Sequence, residues 1–118
     1  MNIIQPLLQF QSQLKTWHWM TKSFSQHKAF GEAYDFLSES IDTFIETYFG
    51  RYGRETVSGI TLSIKPQLDD KLVQGIISEF KVYLSAMDKE IKDGSDLLNI
   101  RDEILGEVDH LLYLLTLV

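Results

Sequence analysis

The sequence contains no cysteine, which excludes disulfides, thiolate zinc sites and cysteine nucleophiles. Proline occurs only at Pro6 and Pro66, so little interrupts a helical period. No apolar run approaches the ~18 residues of a membrane-spanning helix; Leu111 to Val118 is greasy but only eight residues long. Basic residues are scarce, 11 against 17 acids, for a net charge of -6. That argues against a general phosphate-binding surface, because nonspecific nucleic-acid affinity comes mainly from Lys and Arg. The start, Met1-Asn2-Ile3-Ile4-Gln5-Pro6, lacks the basic residues and apolar core of a signal peptide. The expectations are a cytoplasmic protein with no nucleic-acid partner and no membrane partner.

What is present is a globular composition. The 118 residues are 44% apolar and 24% charged, enough for one domain, residues 1–118, around one core. Four stretches carry helical period. The first runs from Ile4 to Met20, with Leu7, Leu8, Leu14 and Trp17 inward. Ser23 and Gln26 have capping-box spacing ahead of the second. There Phe30, Tyr34, Leu37, Ile41, Phe44 and Tyr48 recur at threes and fours, and Gly50 is the expected stop. Asp69 or Asp70 can cap a third helix with Leu72, Ile76, Phe80, Tyr83, Met87 and Ile91 on its apolar side. Asp93-Gly94-Ser95 reads as a stop and a new cap. The fourth helix then shows Leu97, Ile100 or Ile104, Val108, Leu111, Leu112 and Leu115.

Residues Arg51 to Gln67 break the pattern and read as loop, with a brief alternation over Ile60 to Ile64. A connection of this length is unusual inside a compact domain. It is explained if it travels the length of a bundle. Two short connections around one long one predict an all-α, ferritin-like four-helix bundle with a long crossover between helices 2 and 3.

His18, His27, Asp42 and Glu46 are the candidate metal ligands. Imidazole with carboxylate suits a borderline metal such as iron or zinc. His27 and Asp42 lie 15 residues apart on one helix, roughly 22 Å. One ion cannot touch both in one chain, whereas a two-fold copy of the helix would bring His27 of one subunit to Asp42 and Glu46 of the other. The usual di-metal site inside one bundle needs paired Glu-x-x-His motifs. Only Glu107-Val108-Asp109-His110 matches, so Glu107 and His110 read instead as a solvated face.

Residues 7 to 48 resemble the Dps group, small ferritin-like proteins of starved bacteria. The similarity lies in His18-Trp19 ending the first helix and in His27, Asp42 and Glu46 on the second. The fourth helix is similar through Asp102, Ile104, Glu107, Asp109 and Tyr113. The resemblance implies iron binding, ferrous oxidation by peroxide or oxygen, and iron storage at a site shared between two subunits of a homodimer or larger homo-oligomer. It also implies that Trp17 or Trp19 lies near the metal. Gly31 stands where that group usually has another acid, and there is no Lys-rich amino-terminal tail. The alternative is a noncatalytic ferritin-like structural or interaction protein, even one encoded by a virus.

Overall fold

The computed structural model describes residues 2–66 and 69–117. Four helices account for nearly all regular structure: α1 (Ile4–Met20), α2 (Phe24–Tyr52), α3 (Asp70–Glu90) and α4 (Ser95–Leu114). Among the described residues there is no strand, so the chain is all-α. The 29 residues of α2 span about 43 Å of helix, matching the long dimension of the molecule, 42 Å.

Each boundary has a local cause. Ser23 caps α2 by accepting from the Gln26 amide at 3.3 Å. The Gln26 side chain accepts from Thr21 Oγ1 at 2.7 Å. The helix runs three residues beyond the expected stop at Gly50 and ends at Gly53. Nothing crowds Gly50, whereas Gly53 turns the chain at φ +94°, a conformation that side chains with a Cβ avoid. Asp69 caps α3 by accepting from the Lys71 amide at 2.8 Å. Before α4 the cap position is Gly94, with Ser95 already helical, so the expected Ser95 cap is not formed.

Leu7, Phe10, Leu14 and Trp17 of α1 meet Phe30, Leu37, Ile41 and Phe44 of α2 in a single core. Val73, Ile77, Phe80, Leu84 and Met87 from α3 and Leu97, Ile104, Val108 and Leu111 from α4 complete it. The buried face of α3 is rotated from the expected one: Leu72, Ile76 and Tyr83 sit on its shoulder. Leu8 of α1 is likewise exposed. The charged residue buried in α4 is Arg101. Its guanidinium donates to the Leu84 carbonyl at 2.7 Å, to Asp88 at 2.6 Å and to Asp102 at 2.8 Å. Burial alone would lower its pKa, but the bonds to the two carboxylates outweigh this and raise it.

Directions follow from contacts at the ends. His18 meets His27 and Gln11 meets Ser38, so α2 runs antiparallel to α1. Arg51 near the end of α2 pairs with Asp96 at the start of α4 at 3.6 Å. Tyr83 late in α3 donates to the Asn2 carbonyl at 3.2 Å, so α3 runs parallel to α2.

Residues 61–65 of the connection from α2 to α3 lie extended along α1, held by glutamine side chains. Gln9 donates to the Ser63 carbonyl at 2.6 Å and accepts from the Ser63 amide at 2.8 Å. Gln13 does the same with Lys65, both at 2.8 Å. Gln5 donates to the Thr61 carbonyl at 3.4 Å. The periods match: four helical residues rise about 6.0 Å and two extended residues about 6.6 Å. Each carboxamide therefore stands where a neighbouring strand's peptide would.

Candidate functional site

The histidines predicted as ligands close the α1–α2 turn by a reciprocal clasp. His18 Nδ1 bonds the His27 carbonyl at 2.7 Å, and His27 Nδ1 bonds the His18 carbonyl at 2.8 Å. A carbonyl oxygen only accepts, so each Nδ1 carries the proton. In the neutral ring, Nε2 then holds the free lone pair. The His18 carbonyl belongs to the last turn of α1, where carbonyls lack a partner inside the helix. The two rings stack, with centroids 3.9 Å apart and planes 18° from parallel.

Gly31 makes room for this arrangement. A Cβ built there would come within 2.8 Å of His18 Cε1 and Nδ1. The position is a seat for the His18 ring. The signal in the sequence was a glycine one turn after His27 in an otherwise well-formed helix; its meaning depended on where His18 would lie.

Asp42 and Glu46 are exposed on α2, far along the helix from the histidines. Among the described residues neither forms an ion pair, and no group of three or more metal-ligating side chains comes together. Asp42 borders an outer groove of about 390 Å³ with Leu8, Gln11, Ser38 and Ile45. The histidines are therefore brought together in one chain and the acids are not brought to them.

The tryptophans differ sharply. Trp17 is fully buried and packs against Phe30 with ring centroids 5.4 Å apart. Trp19 is 67% exposed, and Lys15 Nζ lies 5.7 Å from its ring centre. On α4, Glu107 approaches His110 at 3.7 Å. His110 is exposed as expected, but Glu107 is half-buried rather than solvated. Asp109 pairs with Lys81 at 2.7 Å.

Residues 18–115 match a family described as a family of unknown function, DUF5856. The chain belongs to that family. The matched region starts at His18 and contains both histidines of the clasp, Gly31, Asp42 and Glu46. No curated protein and no solved structure matches the chain.

The clasp does chemically what partners of metal-binding histidines do. It fixes the tautomer and ring orientation through a backbone carbonyl and leaves Nε2 available as a donor. Stacking adds a restriction. An imidazole binds a metal in its own plane, so two near-parallel rings serve two separate ions more readily than one. Among the described residues no helix is long and apolar enough to cross a membrane.

Proposed function

We propose that this chain is a ferritin-like bundle whose α2 pairs antiparallel with its copy about a two-fold axis perpendicular to the helix, and that it oxidises ferrous iron at sites shared between subunits. His18 and His27 of one subunit supply neutral imidazole, and Asp42 and Glu46 of its mate supply carboxylate. Glu46 would be the carboxylate placed to hold iron beside the two imidazoles. Two ferrous ions each give one electron to a peroxide; its O–O bond breaks and two protons complete two waters. The carboxylates, as hard anions, hold the ferric product for storage.

The observation that carries this reading is the pair of Nδ1–carbonyl bonds, which leaves both Nε2 atoms as donors. Three features support it. Asp42 and Glu46 are exposed and without ion pairs among the described residues. The groove beside Asp42 includes exposed Leu8, which a mate could cover. The long α2–α3 connection agrees with ferritin connectivity. The test is ferrous oxidation by the purified protein, with peroxide or air, followed by ferric absorbance. Oxidation faster than in buffer, lost in Asp42→Asn/Glu46→Gln, supports the reading; wild-type oxidation at the buffer rate contradicts it.

A second reading, a noncatalytic helical interaction protein, is favoured by the stacking itself. The clasp gives both histidines a complete structural role in closing the hairpin. Under that reading, loss of the rings lowers stability and leaves iron oxidation at the buffer rate throughout.

A further inference from the structure

Beside the histidine clasp, the turn between α1 and α2 carries an exposed apolar surface. Trp19, Met20 and Phe24 are 67%, 52% and 74% exposed. All three lie within six residues around the short turn Thr21–Ser23. Three of the chain's eleven basic residues, Lys15, Lys22 and Lys28, surround them, while none of its seventeen acids lies before Glu32. The hairpin end is therefore basic and apolar on an otherwise acidic molecule. From the neighbouring helix, Asp70 borders the same end through a cavity shared with Gln26, and Asp69 and Lys71 adjoin it in sequence.

Several of the turn's polar groups are satisfied from within. The Thr21 amide donates to the Trp17 carbonyl at 3.0 Å, and the Ser23 amide donates to Thr21 Oγ1 at 3.2 Å. The Gln26 amide is capped by Ser23, and the His27 amide donates to the Ser23 carbonyl at 2.9 Å. The clasp occupies the His18 carbonyl. Each group satisfied in this way lowers the cost of leaving water for the boundary of an apolar medium. The cations already sit against the rings: Lys28 Nζ is 5.9 Å from the Phe24 ring centre, and Lys15 Nζ is 4.6 Å from that of Tyr34.

We propose that this tip docks the protein on an anionic bilayer surface. Trp19, Met20 and Phe24 enter the interface, and Lys15, Lys22 and Lys28 meet the acidic headgroups. Tryptophan and phenylalanine flanked by lysine suit the boundary between headgroup and acyl chain. Each basic residue near such a surface strengthens binding and makes it sensitive to salt. The partner is an anionic lipid surface because exposed rings and lysines stand together on a stretch with no acid before Glu32, the charge complement of acidic headgroups around an apolar layer. This revises the expectation of no membrane partner, which rested on the absence of a spanning segment; surface docking needs none.

The test uses the full chain with vesicles of phosphatidylcholine alone or with about a third phosphatidylserine. Binding is read by co-sedimentation and by a blue shift of tryptophan emission, to which exposed Trp19 contributes most. Wild type should bind the anionic vesicles, less as salt rises, and bind the neutral ones weakly. Trp19→Ser/Phe24→Ser and Lys22→Glu/Lys28→Glu should each weaken binding by about tenfold or more, with unchanged circular dichroism because all four residues are exposed. Asp42→Asn/Glu46→Gln should bind vesicles as wild type does, which separates docking from the metal reading. No binding by wild type, or tip variants that bind as well as wild type, would overturn the proposal. So would loss of binding in the acid variant.

Discussion

The His18 ring occupies the space that a Cβ on Gly31 would need, 2.8 Å from its Cε1 and Nδ1. The ring cannot yield freely, because its Nδ1 is bonded across the turn to the His27 carbonyl. Two effects therefore oppose each other when Gly31 is replaced by alanine. Helix propensity favours alanine by roughly 1 kcal/mol, while overpacking a closed site costs about 1–3 kcal/mol. Gly31→Ala should lower the melting temperature in the wild-type background. In a His18→Ala background the clash is gone, and the same substitution should raise it. A thermal double-mutant cycle reads this change of sign. Additive effects would mean that the ring and the glycine are not coupled.

The glutamine row on α1 makes a residue-specific forecast. Gln13 is almost fully buried and pairs both ways with the Lys65 backbone. Gln13→Ala leaves that amide and carbonyl without their partner, a loss of about 1–3 kcal/mol. Native-state hydrogen exchange should show the Ser63 and Lys65 amides protected in wild type. In Gln13→Ala the Lys65 amide should exchange much faster. Equal exchange rates in both proteins would show that the connection is held by something else.

Alkaline pH probes the other end of the bundle. Burial, with smaller contributions from Glu55 and Tyr48, pushes the Tyr83 phenol well above its ordinary value. Tyr48 is raised in the same direction, again first by burial. An unfolded tyrosine ionises near 10. Stability from the protonated phenol is thus fully present below about pH 10 and is lost as pH rises from there through the folded value. Tyrosinate absorbance should appear in two stages, with the later one accompanying loss of helix. Tyr83→Phe should flatten the decline in stability above about pH 10. A single transition of all tyrosines with helix content intact would contradict this.

The helices were legible because their apolar period is strong, and α1 was bounded correctly at Ile4 and Met20. The end of α2 was misplaced because Gly50 and Gly53 look alike in sequence and differ only in φ. The face of α3 was misjudged by about one residue, since Leu72 and Val73, or Ile76 and Ile77, serve equally until a partner helix selects one. Arg101 could not be read as buried, because its acceptors are Asp88 and the Leu84 carbonyl on another helix. The glutamines at 5, 9 and 13 were visible as a four-residue repeat, but its meaning required the extended segment that they hold. At the candidate site the donor types were legible and the clasp was not. Backbone carbonyls leave no trace in side-chain spacing.

The most direct test of the shared iron site is complementation in mixed dimers. One chain carries His18→Asn and His27→Asn; asparagine keeps a donor near the place of Nδ1, preserving the clasp, and has nothing at Nε2. The other carries Asp42→Asn and Glu46→Gln. Each pure dimer should lose both sites. In the mixed dimer the intact acids of one chain face the intact histidines of the other, so one site is rebuilt and the second is doubly broken. Iron binding by the purified mixed dimer should return to about half the wild-type level, as two-fold symmetry requires. Wild-type iron binding with no recovery in the mixed dimer would contradict a shared site.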